Sequence, residues 1–144
     1  SLIMMDLDHF KQINDSFGHT AGDQVLRFVI AACQENLRAA DLLARFGGEE
    51  FIILLPETPL EQAHLIAERI RLSIVPAQVI TSEGPVQVRV SLGVASSDDL
   101  CPSIEDLIKR ADQALYQAKA LGRNRTQVWL PILTSNTPPS DPSI

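Results

Sequence analysis

No apolar run in this chain approaches the roughly 20 residues that a helix needs to cross a bilayer. The longest, Phe28 to Cys33 and Phe51 to Leu55, stop far short. That directs the expectation to a soluble, cytoplasmic domain without direct membrane contact, either on its own or as the cytoplasmic part of a larger, membrane-attached protein. Cysteine is scarce: Cys33 falls in a helical pattern and Cys101 in a loop pattern, too far apart in sequence to suggest a disulfide framework. A reducing setting is expected, and no charged-then-apolar leader precedes the first apolar stretch. Basic charge is in deficit, with 12 Lys and Arg against 18 Asp and Glu and a net charge of −6. Nonspecific binding to nucleic acid or to an anionic membrane depends on basic surface and is not expected. An anionic ligand must instead be held locally, by a metal, by helix ends or by a few placed Lys and Arg. No internal repeat is visible. With 144 residues, 45% of them hydrophobic and 21% charged, the chain suits one globular domain that buries roughly two-thirds of its extended surface.

The stretch that organises the rest is Arg45-Phe46-Gly47-Gly48-Glu49-Glu50-Phe51. Leu42-Leu43-Ala44 leads in and Phe51-Ile52-Ile53-Leu54-Leu55 leads out, which predicts two short buried strands joined by a glycine turn. Two adjacent glycines permit positive φ and leave no side chain between the backbone and a bulky anion. Side chains alternate across a strand, so Glu49 and Glu50 share a side of the sheet only if the turn distorts the pleat.

Taken in order, Ser1 to Met5 predicts a buried strand that meets Asp6-Leu7-Asp8. Phe10 and Ile13 lie at helical spacing and Gly18 closes that short helix. From about residue 21 to 39, Val25, Phe28, Val29, Ala32, Cys33 and Leu37 fall on one face of a longer helix, with Gly22 and Asp23 in its first turn. After the hairpin, Ala63, Ile66, Ala67, Ile70 and Ile74 mark another helix, closed by Pro76. Residues 78–81 and 86–95 alternate as strands around Ser82-Glu83-Gly84-Pro85, a second hairpin. Ser103 opens the last helix as a cap with Asp106 three residues on; Leu107, Ala111, Ala114, Leu115 and Ala118 form its buried face and Gly122 ends it. Residues 126–130 suggest a final strand, and the Pro-, Ser- and Thr-rich residues 131–144 a disordered tail. The order is α+β, with helices flanking a largely antiparallel central sheet in residues 1–130.

If the strands ending in Asp6 and beginning at the hairpin tip are neighbours, Asp6 and Glu49 meet. That pairing suits Mg²⁺, a hard cation that takes one or two carboxylates and completes its octahedron with water and phosphate oxygens. At this point three stretches resemble a known family. Asp6-Leu-Asp-His-Phe-Lys-Gln-Ile-Asn-Asp-Ser-Phe-Gly-His-Thr-Ala-Gly-Asp23, Arg45-Phe-Gly-Gly-Glu-Glu-Phe51 and Ala118-Lys-Ala-Leu-Gly-Arg-Asn124 look like the signatures of GGDEF-domain diguanylate cyclases, here in the GGEEF form.

The resemblance implies a palm-like, ferredoxin-like nucleotidyl-cyclase fold and a reaction in which two GTP become cyclic di-GMP and two pyrophosphates. It places Asp6, the Leu7 carbonyl and Glu49 on the metal, with Glu50 as a further contact, and it makes Mg²⁺, two ions per site, or Mn²⁺ the expected cofactor. It gives Glu49 the hydroxyl proton and sets Lys11 against the phosphates or transition state. Lys119 and Arg123, one helical turn apart, fall on further triphosphate contacts, and Gly47 and Gly48 on the substrate turn. Asn14 and Asp23 match the guanine-reading positions, with His19 lining the same site. Arg38-Ala-Ala-Asp41, at the end of the long helix, matches the family's RxxD product-inhibition site, and Arg69 its secondary arginine. The expected assembly is a homodimer, each subunit holding one GTP. A segment resembling Asp-x-Leu-Thr-Gly-Leu-x-Asn-Arg-Arg normally lies just upstream, so a sensory or receiver domain is expected before Ser1. Two alternatives stay open: an inactive GGDEF-type module that binds GTP or cyclic di-GMP, and another palm-type nucleotidyl cyclase or polymerase that needs no RxxD. Taken singly, Lys119 and Arg123 also fit an exposed helix end, Asp23 a first-turn acid, and His9 a surface residue.

Overall fold

The computed structural model describes residues 1–131. The tail expected beyond them lies, from residue 132 on, outside the described residues. Five strands form the main sheet: β1 (Leu2–Leu7), β2 (Leu42–Arg45), β3 (Glu50–Leu54), β6 (Val90–Ala95) and β7 (Thr126–Val128), in the order β2-β3-β1-β6-β7. A second, two-stranded sheet pairs β4 (Gln78–Thr81) with β5 (Gly84–Gln87). The architecture is α+β, mostly antiparallel, with α1 (Phe10–Phe17), α2 (His19–Glu35), α3 (Leu60–Ile74) and α4 (Ile104–Ala120) around the main sheet.

β1 is central and buried along its whole length, as a strand covered on both faces must be. Its odd residues, Ile3, Met5 and Leu7, join a core with Val25, Val29, Ala67 and Ile70 of α2 and α3. Its even residues, Leu2 and Met4, pack with Leu107, Ala111 and Leu115 of α4. α4 approaches so closely that a Cβ on Gly93 of β6 would lie 2.2 Å from the Ala111 carbonyl oxygen and 2.3 Å from the Leu115 nitrogen. That seam draws the C-terminal end of α4 down beside the end of β1, where Asp6 sits.

Several expectations need correction. The long helix begins earlier, at His19 after Gly18 with φ 87°, and ends earlier, at Glu35. Asn36 stops it: its side-chain amide donates to the Ala32 carbonyl at 2.7 Å, competing with the backbone ladder. Arg38 therefore lies beyond the helix, not at its end. Phe28 and Leu37 are half-buried. β2 is not buried; it is an edge strand with three of its four residues exposed. The stretch expected as one strand over residues 86–95 divides between β5 and β6, which belong to different sheets. The final strand is shorter than expected and pairs parallel to β6, so the sheet is mixed. Gly47 and Gly48 do not carry positive φ; the glycines that do are Gly18, Gly84 and Gly122.

Candidate functional site

The site is built at one end of the two central strand pairs. Asp6, the penultimate residue of β1, lies opposite Glu50 in β3 and Ser91 in β6. The β2–β3 turn continues past that register, and the Leu7 N–H donates to the Glu49 carbonyl at 3.2 Å, tying the turn to the β1 terminus. The two glutamates part at the turn. Glu49 lies in the bend before β3 and faces the cleft, while the Glu50 carboxylate folds back, its Oε2 3.1 Å from where a Gly47 Cβ would be. Gly47 thus makes room for Glu50. A Cβ on Gly48 would meet no atom within 4 Å, which leaves its backbone open to a ligand.

Asp6 is 5% exposed and ion-paired with Lys119 of α4. Burial pushes its carboxyl above the ordinary value; the Lys119 ammonium opposes that, and the Glu49 and Glu50 carboxylates reinforce it. A buried acid with two more acids beside it, and a net disfavoured charge, is an environment that a cation would relieve. Among the described residues no three His, Cys, Asp or Glu side chains converge closely enough to hold an ion unaided.

Two adjoining clefts meet at Lys11 and Glu49. The smaller, about 190 Å³, is lined by Asp6, Leu7, Asp8, Lys11, Glu49, Lys119 and Arg123, among others. The larger, about 320 Å³, is lined by Lys11, Asn14, His19, Asp23, Arg45, Gly48 and Glu49. Lys11 and Asn14 share a face of α1 at three-residue spacing, and His19 and Asp23 share one of α2 at four. Asn14 packs into the α1–α2 contact, because a Cβ on Gly22 would stand 1.9 Å from its Oδ1. An amide and a carboxylate line one cleft, with cations lining the next.

A third cleft, about 280 Å³, is lined by Arg38, Asp41, Thr58 and Arg69, among others. The Arg38 guanidinium donates to Asp41 Oδ1 at 3.2 Å and to the buried Thr58 Oγ1 at 2.7 Å, and Arg69 donates to the Asn36 carbonyl at 3.3 Å. Two cations therefore lie on a surface separate from the Asp6 clefts.

Residues 1–125 match the family described as "Diguanylate cyclase, GGDEF domain". The chain belongs to that family. As a GGDEF domain it is 44% identical over 127 residues to diguanylate cyclase DgcP of Pseudomonas aeruginosa, covering 88% of this chain and 19% of that protein. Among solved structures it resembles the active GGEEF domain of a diguanylate cyclase from Vibrio cholerae, with TM-score 0.85, 38% identity, and coverage of 90% of this chain and 82% of that one. It also resembles the GGDEF domain of DgcB from Caulobacter crescentus in complex with c-di-GMP, with TM-score 0.83, 33% identity, and coverage of 88% and 75%. This GGDEF domain spans between about a fifth and a third of the curated relatives it matches. No described helix is long and apolar enough to cross a membrane.

The structure brings Asp6, Leu7, Lys11, Glu49, Lys119 and Arg123 together and joins Asn14, His19, Asp23 and Gly48 to them. Gly47 and Glu50 line neither cleft. The expected reason for pairing Lys119 with Arg123 does not hold: α4 ends at Ala120, and Arg123 sits in a left-handed turn after it, φ 63°. Sequence reasoning missed the part of Arg45, whose Nε donates to the Gly47 and Gly48 carbonyls at 3.2 and 3.1 Å and fixes the turn. Its place directly before the turn was the available signal. Thr58, which receives Arg38, carried none.

Proposed function

We propose that this GGDEF domain is the catalytic domain of a diguanylate cyclase, condensing two GTP into cyclic di-GMP. One observation carries the reading: an amide-and-carboxylate cleft opens, through Lys11 and Glu49, into a cleft that holds the buried Asp6 among Lys119 and Arg123. In the first, Asn14 and Asp23 would accept from the guanine N1–H and N2 amino group, an arrangement adenine cannot satisfy, with His19 beside them. In the second, Lys11, Lys119 and Arg123 would hold the triphosphate. The 3′-hydroxyl of one GTP attacks the α-phosphorus of the other; the new P–O bond forms as the bond to pyrophosphate breaks, and Glu49 takes the hydroxyl proton. Repetition in the opposite sense closes the ring. Diguanylate cyclases of this family generally use a divalent metal, and Asp6, Glu49 and the Leu7 carbonyl are the groups that would hold Mg²⁺ or Mn²⁺, which would lower the hydroxyl pKa and offset charge at phosphorus.

Among the described residues one cleft, that of Asn14 and Asp23, adjoins the Asp6–Glu49 pair, so on this reading the reaction needs two copies facing one another. Product is proposed to bind at Arg38, Asp41 and Arg69, since guanidinium forks suit both phosphate and the Hoogsteen edge of guanine. Incubation with GTP and Mg²⁺, with the product identified by mass spectrometry, tests the assignment. Cyclic di-GMP is the expected product; bound but unconverted GTP, at concentrations where the protein is dimeric, would identify a binding module instead.

A further inference from the structure

Asp8 lies just past the strand end that carries Asp6 and lines the same smaller cleft, yet has no part in the reading above. It is 6% exposed and makes no ion pair among the described residues, where Lys119 goes to Asp6. Both of its oxygens are nevertheless occupied. Oδ1 accepts from Ser91 Oγ at 2.6 Å, and Ser91 is fully buried in β6. Oδ2 accepts from the backbone N–H of Asn124 at 3.0 Å, 116 residues away. A carboxylate this buried, answered by neutral donors, is costly to keep and informative about what it holds.

What it holds is a strained turn. Gly122, Arg123 and Asn124 have φ of 119°, 63° and 48° in succession. Glycine and asparagine tolerate this region; arginine does not do so readily, and such a residue persists only where its surroundings over-determine it. Here they do. The Arg123 N–H donates to the Ala118 carbonyl at 2.9 Å. Arg71 of α3 donates to the Asn124 side-chain oxygen at 3.2 Å and to its carbonyl at 3.4 Å, and is itself paired with Glu68. Asp8 closes the clamp from the β1 side. The Arg123 side chain projects from this turn into the cleft with Lys11, Glu49 and Lys119, exposed and without a hydrogen bond to another described residue.

We propose that Asp8 is a positioning residue for phosphate binding: by joining Ser91 to the Asn124 N–H, it holds the left-handed turn that presents Arg123 to the triphosphate. The inference rests on the proposed GTP reading. It predicts a selectivity that a merely structural role would not give, because guanine is read elsewhere, at Asn14 and Asp23. The measurement is calorimetric binding of GTP and of GMP in EDTA to the parent protein, Asp8→Asn, Arg123→Ala and the double variant. Asp8→Asn should weaken GTP roughly tenfold or more, the scale of a hydrogen bond to a charged group. It should leave GMP within about twofold, and the double variant should be no weaker than Arg123→Ala alone, the mark of coupled rather than independent sites. Should Asp8→Asn fail to fold, Ser91→Ala removes one support of the same carboxylate and should show the same selectivity in weaker form. Equal losses for GTP and GMP, or additive losses in the double variant, overturn the proposal. So does a loss seen only when Mg²⁺ is present, which would make Asp8 a metal ligand. A parent protein that binds no GTP overturns the GTP reading and this inference with it; a parent that binds GTP beside an unaltered Asp8→Asn overturns the inference alone.

Discussion

At Asp6, burial and charge act in opposite directions on stability and chemistry. Burial and the two neighbouring glutamates disfavour its charged form, and Lys119 compensates only in part. A carboxylate whose folded pKa is raised binds more protons folded than unfolded, so its cost to stability is present at neutral pH. That cost fades as pH falls through the raised value toward the ordinary one, 3.8. Asp6→Asn in EDTA should therefore raise the melting temperature at pH 7 to 8, with the gain shrinking toward pH 4, while turnover with Mg²⁺ collapses. A lower melting temperature at pH 7 would mean that the lost Lys119 pair outweighs the relieved burial. Glu49 is half-buried and open to both clefts, so its exchange tests chemistry more than folding. Glu49→Gln keeps the shape and loses the basicity; turnover should fall by at least the ~10²-fold typical of a general base, with GTP binding still measurable. Turnover within a factor of about three of the parent would remove Glu49 from that role.

The elements place these residues through contacts that differ in how visible they are from sequence. α4 is held to the sheet by the Gly93 seam, and a methyl there has only helix backbone to displace. Gly93→Ala should destabilise by about 2–3 kcal/mol or more, at the upper end of overpacking effects, read from denaturant midpoints. A neutral result would show that α4 can slide, and with it Lys119. Nothing in the alternating pattern of the sequence announced that seam. The pattern did announce the helices, the capping by Ser103, which accepts from the Asp106 N–H at 3.2 Å, and the meeting of Asp6 with the hairpin tip. It did not show where β5 ends: Val86-Gln87-Val88-Arg89-Val90 alternates and Val90-Ser91-Leu92-Gly93-Val94-Ala95 continues the alternation, although residues 90–95 are buried without interruption. Small Ser91, Gly93 and Ala95 take the second buried face of a central strand, which alternation alone does not separate from a one-sided strand. The exposed β2 was misjudged because Leu42 and Leu43 are apolar, although the register puts them at the sheet edge. Beyond that edge, Arg38 is fixed by Asp41 and Thr58 and is more than half exposed, so Arg38→Ala should cost under about 1 kcal/mol. On the proposed reading it should abolish inhibition by cyclic di-GMP and leave the initial rate nearly intact. Calorimetry showing unchanged cyclic di-GMP affinity would assign that cleft another role.

For the whole molecule, the decisive number is the copy number. Among the described residues a single chain presents one Asn14–Asp23 cleft beside one Asp6–Glu49 pair, while the proposed reaction joins two nucleotides symmetrically. On the proposed reading, the second GTP arrives on another chain. Orienting two reactants in this way can be worth about 7–11 kcal/mol of barrier, and a dimer that forms only transiently supplies it only for the fraction of time it exists. The net charge of −6 adds a mutual repulsion that salt screens. Specific activity should therefore rise with protein concentration until dimers predominate, and at a given concentration rise with moderate salt before Mg²⁺–GTP binding itself weakens. Titrating a fixed amount of parent protein with excess Glu49→Gln should trap parent chains in mixed pairs and lower the rate per parent chain toward zero. The paired measurement is pyrophosphate release and light scattering across one dilution series. If specific activity stays flat while the mass is monomeric, one chain completes the reaction alone, and the second nucleotide must find a place on this surface that neither cleft provides.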